Sequence, residues 1–77
     1  MNKKTRDELS KIHERLIDIK DELSIIGEDE DDKFNNLNEG LQATERGQQM
    51  QNDSDNLLEA VSEIEQALEY IENVTNV

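Results

Sequence analysis

Cysteine, proline and tryptophan are all missing from this chain of 77 residues. Without cysteine there is no disulfide framework and no thiolate to hold a metal. Without proline, a periodic apolar stretch contains no built-in helix breaker. Aromatic residues make up 3% of the chain and hydrophobic residues 32%, which is thin material for a core. One small domain is the upper bound, and chains below roughly 80 residues need a staple or a partner to bury enough apolar surface. No apolar run approaches the roughly 18 residues of a membrane span. The start, Met1 to Arg6, is basic, but Asp7 and Glu8 follow it where a signal peptide would turn apolar, so none is expected. Asn52-Asp53-Ser54 and Asn73-Val74-Thr75 match glycosylation sequons, which have no meaning without secretion.

Positive charge is also scarce. Eight basic residues stand against twenty acidic ones, for a net charge of −12. Such a surface repels nucleic acid and anionic lipid, so neither direct nucleic-acid binding nor membrane attachment is expected. A basic protein partner is the one electrostatic hint. High charge with low hydrophobicity also marks disordered chains. Disorder is rejected for the bulk because the apolar residues are periodic.

Leu9, Ile12, Leu16, Ile19, Leu23 and Ile26 alternate spacings of 3 and 4, as a heptad seam does. A second seam runs through Met50, Leu57, Val61, Ile64, Leu68 and Ile71, with Ser54 as its polar member. Two such stripes in so short a chain predict two long helices that cover each other. Ile17 and Ile25 lie off the first seam, while Ala60, Ala67 and Val74 flank the second. That excess of apolar width suggests further helices packing there, as in a bundle.

The first helix is predicted over about 4–33, capped by Thr5 with Glu8 completing a capping box. Gly27 is a candidate stop, followed by the acid run Glu28 to Asp32. Stopping there would leave an unusually long connection, so the helix is expected to continue to about Phe34. The turn then spans about 34–44, with Phe34, Leu37 and Leu41 folding inward. Thr44 caps a second helix over about 45–73. Residues 1–20 carry a net +2, residues 21–33 a net −6, residues 34–49 a net −1 and residues 50–77 a net −7. An antiparallel hairpin sets the basic start of the first helix beside the acidic end of the second.

The stretch from Phe34 through Asn35, Asn36, Leu37, Asn38, Glu39, Gly40, Leu41, Gln42, Ala43, Thr44, Glu45 and Arg46 to Gly47 is distinctive. It resembles the turn of small acidic helical-hairpin proteins encoded by phages and prophages of Gram-positive bacteria. Those chains share the basic Met-Asn-Lys-Lys-like start and a Phe-Asp-Asn-Met-Pro-Glu-Asn-Leu-Gln-like turn. Asn38 stands here where that pattern has proline, and Asn35 where it has aspartate. The family is uncharacterised. The resemblance implies a phage or mobile-element origin and the cytoplasm of a bacterial host cell, and it supplies no activity and no functional residues.

Catalytic and metal chemistry find little footing. Counted from Asp29 as an EF-hand loop, Lys33 falls at the fifth position, Phe34 at the sixth and Gly40 at the twelfth, all wrong for calcium. His13 is the single histidine and has only surface carboxylates such as Asp7 and Glu14 near it in sequence. A catalytic base needs an oriented partner or nucleophile, and zinc needs more nitrogen or sulfur ligands. Glu59, Glu63, Glu65, Glu69 and Glu72 are plentiful on the second helix, but acid–base work needs a desolvated cavity. No catalytic, cofactor-binding or metal site is expected, and no cofactor.

The expected fold is all-α: an antiparallel, coiled-coil-like two-helix hairpin that dimerises into a four-helix bundle. The expected role is that of a non-enzymatic, phage-type accessory or protein-interaction protein. The turn residues Leu37, Glu39, Leu41, Gln42, Glu45 and Arg46 are the candidate partner contacts, because function concentrates on ordered loops. The alternative is an acidic nucleic-acid mimic that inhibits a basic host DNA- or RNA-binding protein.

Overall fold

The computed structural model describes residues 1–75, leaving Asn76 and Val77 of the expected 1–77 hairpin outside the described residues. Among the described residues every regular element is helical: α1 spans Lys3–Asn35, α2 is a single turn over Glu39–Gln42, and α3 spans Glu45–Thr75. The chain forms a rod with extents of 58 × 15 × 14 Å. Among the described residues no helix is long and apolar enough to cross a membrane.

Helix α1 passes through Gly27 and the acid run without a break. Lys33 offsets part of the acidic charge, its ammonium donating to Glu30 at 3.1 Å and lying 3.3 Å from Asp29. The hydrogen bond to Glu30, then that to Asp29, holds the Lys33 pKa above its ordinary value of 10.5. A raised lysine pKa stabilises the fold below the unfolded value and loses that effect only in alkali, so the small contribution of this exposed contact is present at neutral pH. The start of the helix differs from the expected capping box. Asn2 is the N-cap, its Oδ1 accepting from the Thr5 N–H at 2.9 Å, so Thr5 lies one turn inside. Asn2 is as good a cap as threonine, and satisfying one of the free N–H groups at that end decides the start.

The two long helices run antiparallel. His13 Nε2 lies 2.9 Å from Glu72 Oε1, and a side chain at Gly27 would meet Leu58. In both pairs the residue numbers add to 85, which sets the level of every residue on α1 against α3. Among the described residues this His13–Glu72 contact is the one ion contact across the hairpin, so the basic start and acidic end neighbour each other mostly through solvent.

On α3 the expected seam faces α1: Ser54, Val61 and Leu68 are buried, and Met50, Leu57, Ile64 and Ile71 are half-buried beside them. Ser54 is fully enclosed, its hydroxyl donating back to the Gln51 carbonyl at 3.3 Å. On α1 the expectation is only half met. Leu9, Leu16 and Leu23 turn toward α3, but Ile12, Ile19 and Ile26 stay 38%, 46% and 52% exposed. Their place beside α3 is taken by His13, Lys20, Gly27 and Phe34, on the other side of the leucines.

The physical reason lies at Gly27. A Cβ there would stand 3.0 Å from Leu58 Cδ2 and 3.4 Å from Leu57 Cβ. Glycine leaves room at that level, and the Leu58 side chain fills it. Packing along the line of Gly27 and Phe34 leaves the α1 isoleucines turned away.

Candidate functional site

The turn is built by hydrogen bonds from side chain to backbone. Asn38 serves as the N-cap of α2, its Oδ1 accepting from the Leu41 N–H at 2.9 Å. Thr44 caps α3, its Oγ1 accepting from the Gly47 N–H at 3.1 Å and donating to the Leu41 carbonyl at 2.6 Å. Gln42 reaches back across the turn, its Nε2 donating to the carbonyls of Phe34 at 3.2 Å and Leu37 at 3.1 Å. The Phe34 carbonyl, in the last turn of α1, also accepts from the Leu37 N–H at 3.0 Å, and the Leu37 carbonyl lies just beyond the helix.

The structure separates the six turn residues expected to meet a partner. Leu37, Leu41 and Arg46 gather with Thr44, Gly47 and Met50 around a shallow depression of about 330 Å³ with a mostly apolar lining. Leu41 is half exposed at its rim, which corrects the expectation that it folds inward with Phe34. Glu39 and Glu45 stand exposed in the first turns of α2 and α3, where negative charge suits the helix dipole. Gln42 is occupied with the backbone, so its part is to hold the turn.

Replacing Gln42 with alanine is therefore expected to lower stability by about 1 kcal/mol, the usual net worth of such a bond. Thermal unfolding followed by circular dichroism measures it. An unchanged midpoint would show that the tether contributes nothing.

The larger feature is a face that the sequence seam concealed. His13 and Glu72 meet on one side of the hairpin, which also carries Lys20 and Glu65 at the matching heptad positions. The opposite side carries Ile12, Ile19 and Ile26 from α1 alongside Ala60, Ala67 and Val74 from α3. The half-buried Leu57, Ile64 and Ile71 lie between these two lines. The hairpin is thus polar on one flank and apolar on the other. The signal in the sequence was the apolar width beyond a single seam, and of an uncovered edge expected from Ile17, Ile25, Leu58 and Val74 only Val74 lies on this face. Ile17 and Leu58 belong to the polar flank and are half-buried there, and Ile25, at 67% exposure, lies toward the back of α1.

His13 contacts Glu72 at the surface, and a shallow hollow beside the pair is lined by Ser10, Glu14 and Thr75 as well. Among the described residues no group of three or more His, Cys, Asp or Glu side chains is placed to hold a metal ion. Comparison with protein-family models, curated proteins and solved structures finds no match.

Proposed function

We propose that this helical hairpin is a non-enzymatic, phage-type accessory protein acting in the bacterial cytoplasm through protein–protein contact. Its working form is a dimeric four-helix bundle closed over the isoleucine face. The exposed stripe Ile12, Ile19 and Ile26 is the observation that carries this reading. Among the described residues the buried hydrophobic side chains are only Phe34, Val61 and Leu68, too few for a lone domain of this size. In a bundle each helix faces two neighbours, and its apolar seam points between them. On α1 that direction lies between the leucines and the isoleucines. The heptad Leu9, Ile12, Leu16, Ile19, Leu23, Ile26 is then the core stripe of the bundle, of which the single hairpin uses half. The phage-type origin rests on the likeness of the turn from Phe34 to Gly47.

The test is Ile19→Asp against Leu16→Asp, read by sedimentation and circular dichroism. The wild-type chain is expected to sediment at twice its 8.9 kDa mass. Ile19→Asp is expected to sediment as a monomer while keeping most of its helicity, because a surface aspartate in the lone hairpin touches only water. Leu16→Asp, aimed at α3, loses helicity as well. A wild-type monomer at every concentration would end this reading.

A second reading, an acidic mimic of nucleic acid, draws on the distribution of charge along the rod. The half beyond the level of Ile19, residues 21–65, carries fourteen acidic and two basic groups and so the whole net charge of −12. The acid run is helical, so its carboxylates are displayed on a rigid rod as phosphates are on a duplex. The triple variant Glu59→Gln, Glu63→Gln, Glu69→Gln should then weaken binding to a basic nucleic-acid-binding protein, and added salt should do the same. Binding indifferent to both removes the mimic.

A further inference from the structure

Resting on the reading that a second copy covers the isoleucine face, we propose that the two copies lie antiparallel. The two-fold axis crosses the rod at Ile19 and Ala67. The symmetry of the stripes points to this position. Ile12 and Ile26 are equidistant from Ile19, and Ala60 and Val74 are equidistant from Ala67. The pairing that sets His13 against Glu72 and Gly27 against Leu58 brings Ile19 and Ala67 to within one residue of the same level. One axis perpendicular to the rod therefore serves both stripes. It sets Ile12 against the second copy's Ile26 and Ile19 against its own counterpart. On α3 it sets Ala60 against the second copy's Val74 and Ala67 against its own counterpart, where small side chains let the helices approach.

Charge selects the same arrangement. At the level of the axis the hairpin divides into residues 1–20 with 66–77, and residues 21–65. The first part carries six basic and six acidic groups and is neutral, so the second holds all of the −12. A head-to-head dimer would set the two acidic halves side by side. The antiparallel dimer sets each acidic half beside a neutral one, where like-charge repulsion is least. Arg15 and Glu22, which border the isoleucine stripe on α1, then come opposite each other across the interface. The rod is 58 Å long and 15 Å wide. The stripe from Ile12 to Ile26 occupies about 21 Å of it at the rise of an α-helix, centred on the proposed axis. The consequence is bivalency. The two turn caps, each with its Leu37, Leu41 and Arg46 surface, stand at opposite ends of the rod and can hold two partners at once.

Single-cysteine variants test the arrangement without interference, because the natural chain has no cysteine. Ile19→Cys and Ala67→Cys are each expected to form a disulfide-linked dimer alone when treated with the thiol oxidant diamide. Ile12→Cys is expected to stay unlinked alone and to link when mixed with Ile26→Cys. A head-to-head dimer would instead leave Ile19→Cys and Ala67→Cys unlinked alone and join them only when mixed, which would overturn the antiparallel arrangement. That outcome would leave the dimer itself standing. A wild-type chain that sediments only as a monomer would sink both.

Discussion

Leu68→Asp is expected to abolish the fold: helical circular dichroism should collapse at room temperature and the dimer should disappear with it. Leu68 is one of the three buried hydrophobic side chains among the described residues and sits on the central line of α3 with Ser54 and Val61. Truncating a buried leucine costs roughly 2–5 kcal/mol in itself. Aspartate adds the penalty of taking a carboxylate out of water. Domains of this size have total stabilities on the order of 4–12 kcal/mol, so one such change removes much or all of it. Tyr70, two residues on and 74% exposed, supplies the control. Tyr70→Asp should leave helicity and thermal midpoint nearly unchanged. If both variants behaved alike, the assignment of the buried line on α3 would be wrong.

Gly47→Ala is expected to be the most damaging conservative change in the chain. A Cβ at Gly47 would fall on the carbonyl oxygen of Leu41, and it would also stand 2.7 Å from the Gln42 carbonyl oxygen and 2.9 Å from Gln42 Cα. These are backbone atoms in a turn pinned by Asn38, Gln42 and Thr44, so none of them can swing aside. The turn must lift away from α3 and lose part of that network. Overpacking of this kind costs roughly 1–3 kcal/mol, against which the helix propensity of alanine returns about 1 kcal/mol. The net loss reaches about 2 kcal/mol at the upper end of that range, which would lower the melting temperature by as much as roughly 8–16 °C in a domain of this size.

Gly27→Ala provides the contrast, because its obstacle is the movable end of Leu58 rather than backbone. The propensity gain and the packing loss nearly cancel there, and the midpoint should move by only a few degrees, about 4–8 °C at most. A larger fall for Gly27→Ala than for Gly47→Ala would show that the closest backbone approach lies between the long helices and not at the turn.

Much of the architecture was legible before any coordinates. Two heptad stripes in a chain without proline imply two long helices. Thr44 announced the start of α3, and the distance from Gly27 to Thr44 was too long for a loop, so α1 had to run through the acid run. The start of α1 near Lys3 was legible, but its cap was misassigned because Asn2 and Thr5 are both competent caps. The one-turn helix α2 escaped notice because Asn38 reads equally well as a turn residue and as a cap. Of the six expected contact residues, Gln42 proved to be a tether, since a glutamine that bonds to a solvent partner and one that bonds across a turn look the same in one dimension.

The sequence by itself determined the helices, their lengths and the stripe of α3 that is buried, because periodicity and caps act within a few residues along the chain. Only the tertiary structure decided how α1 is rotated against α3. An apolar stripe as wide as that of α1 permits several faces, and the one chosen packs Gly27 against the Leu58 side chain. Gly27 under Leu58, a contact between residues far apart in the chain, makes that choice and leaves Ile12, Ile19 and Ile26 facing out.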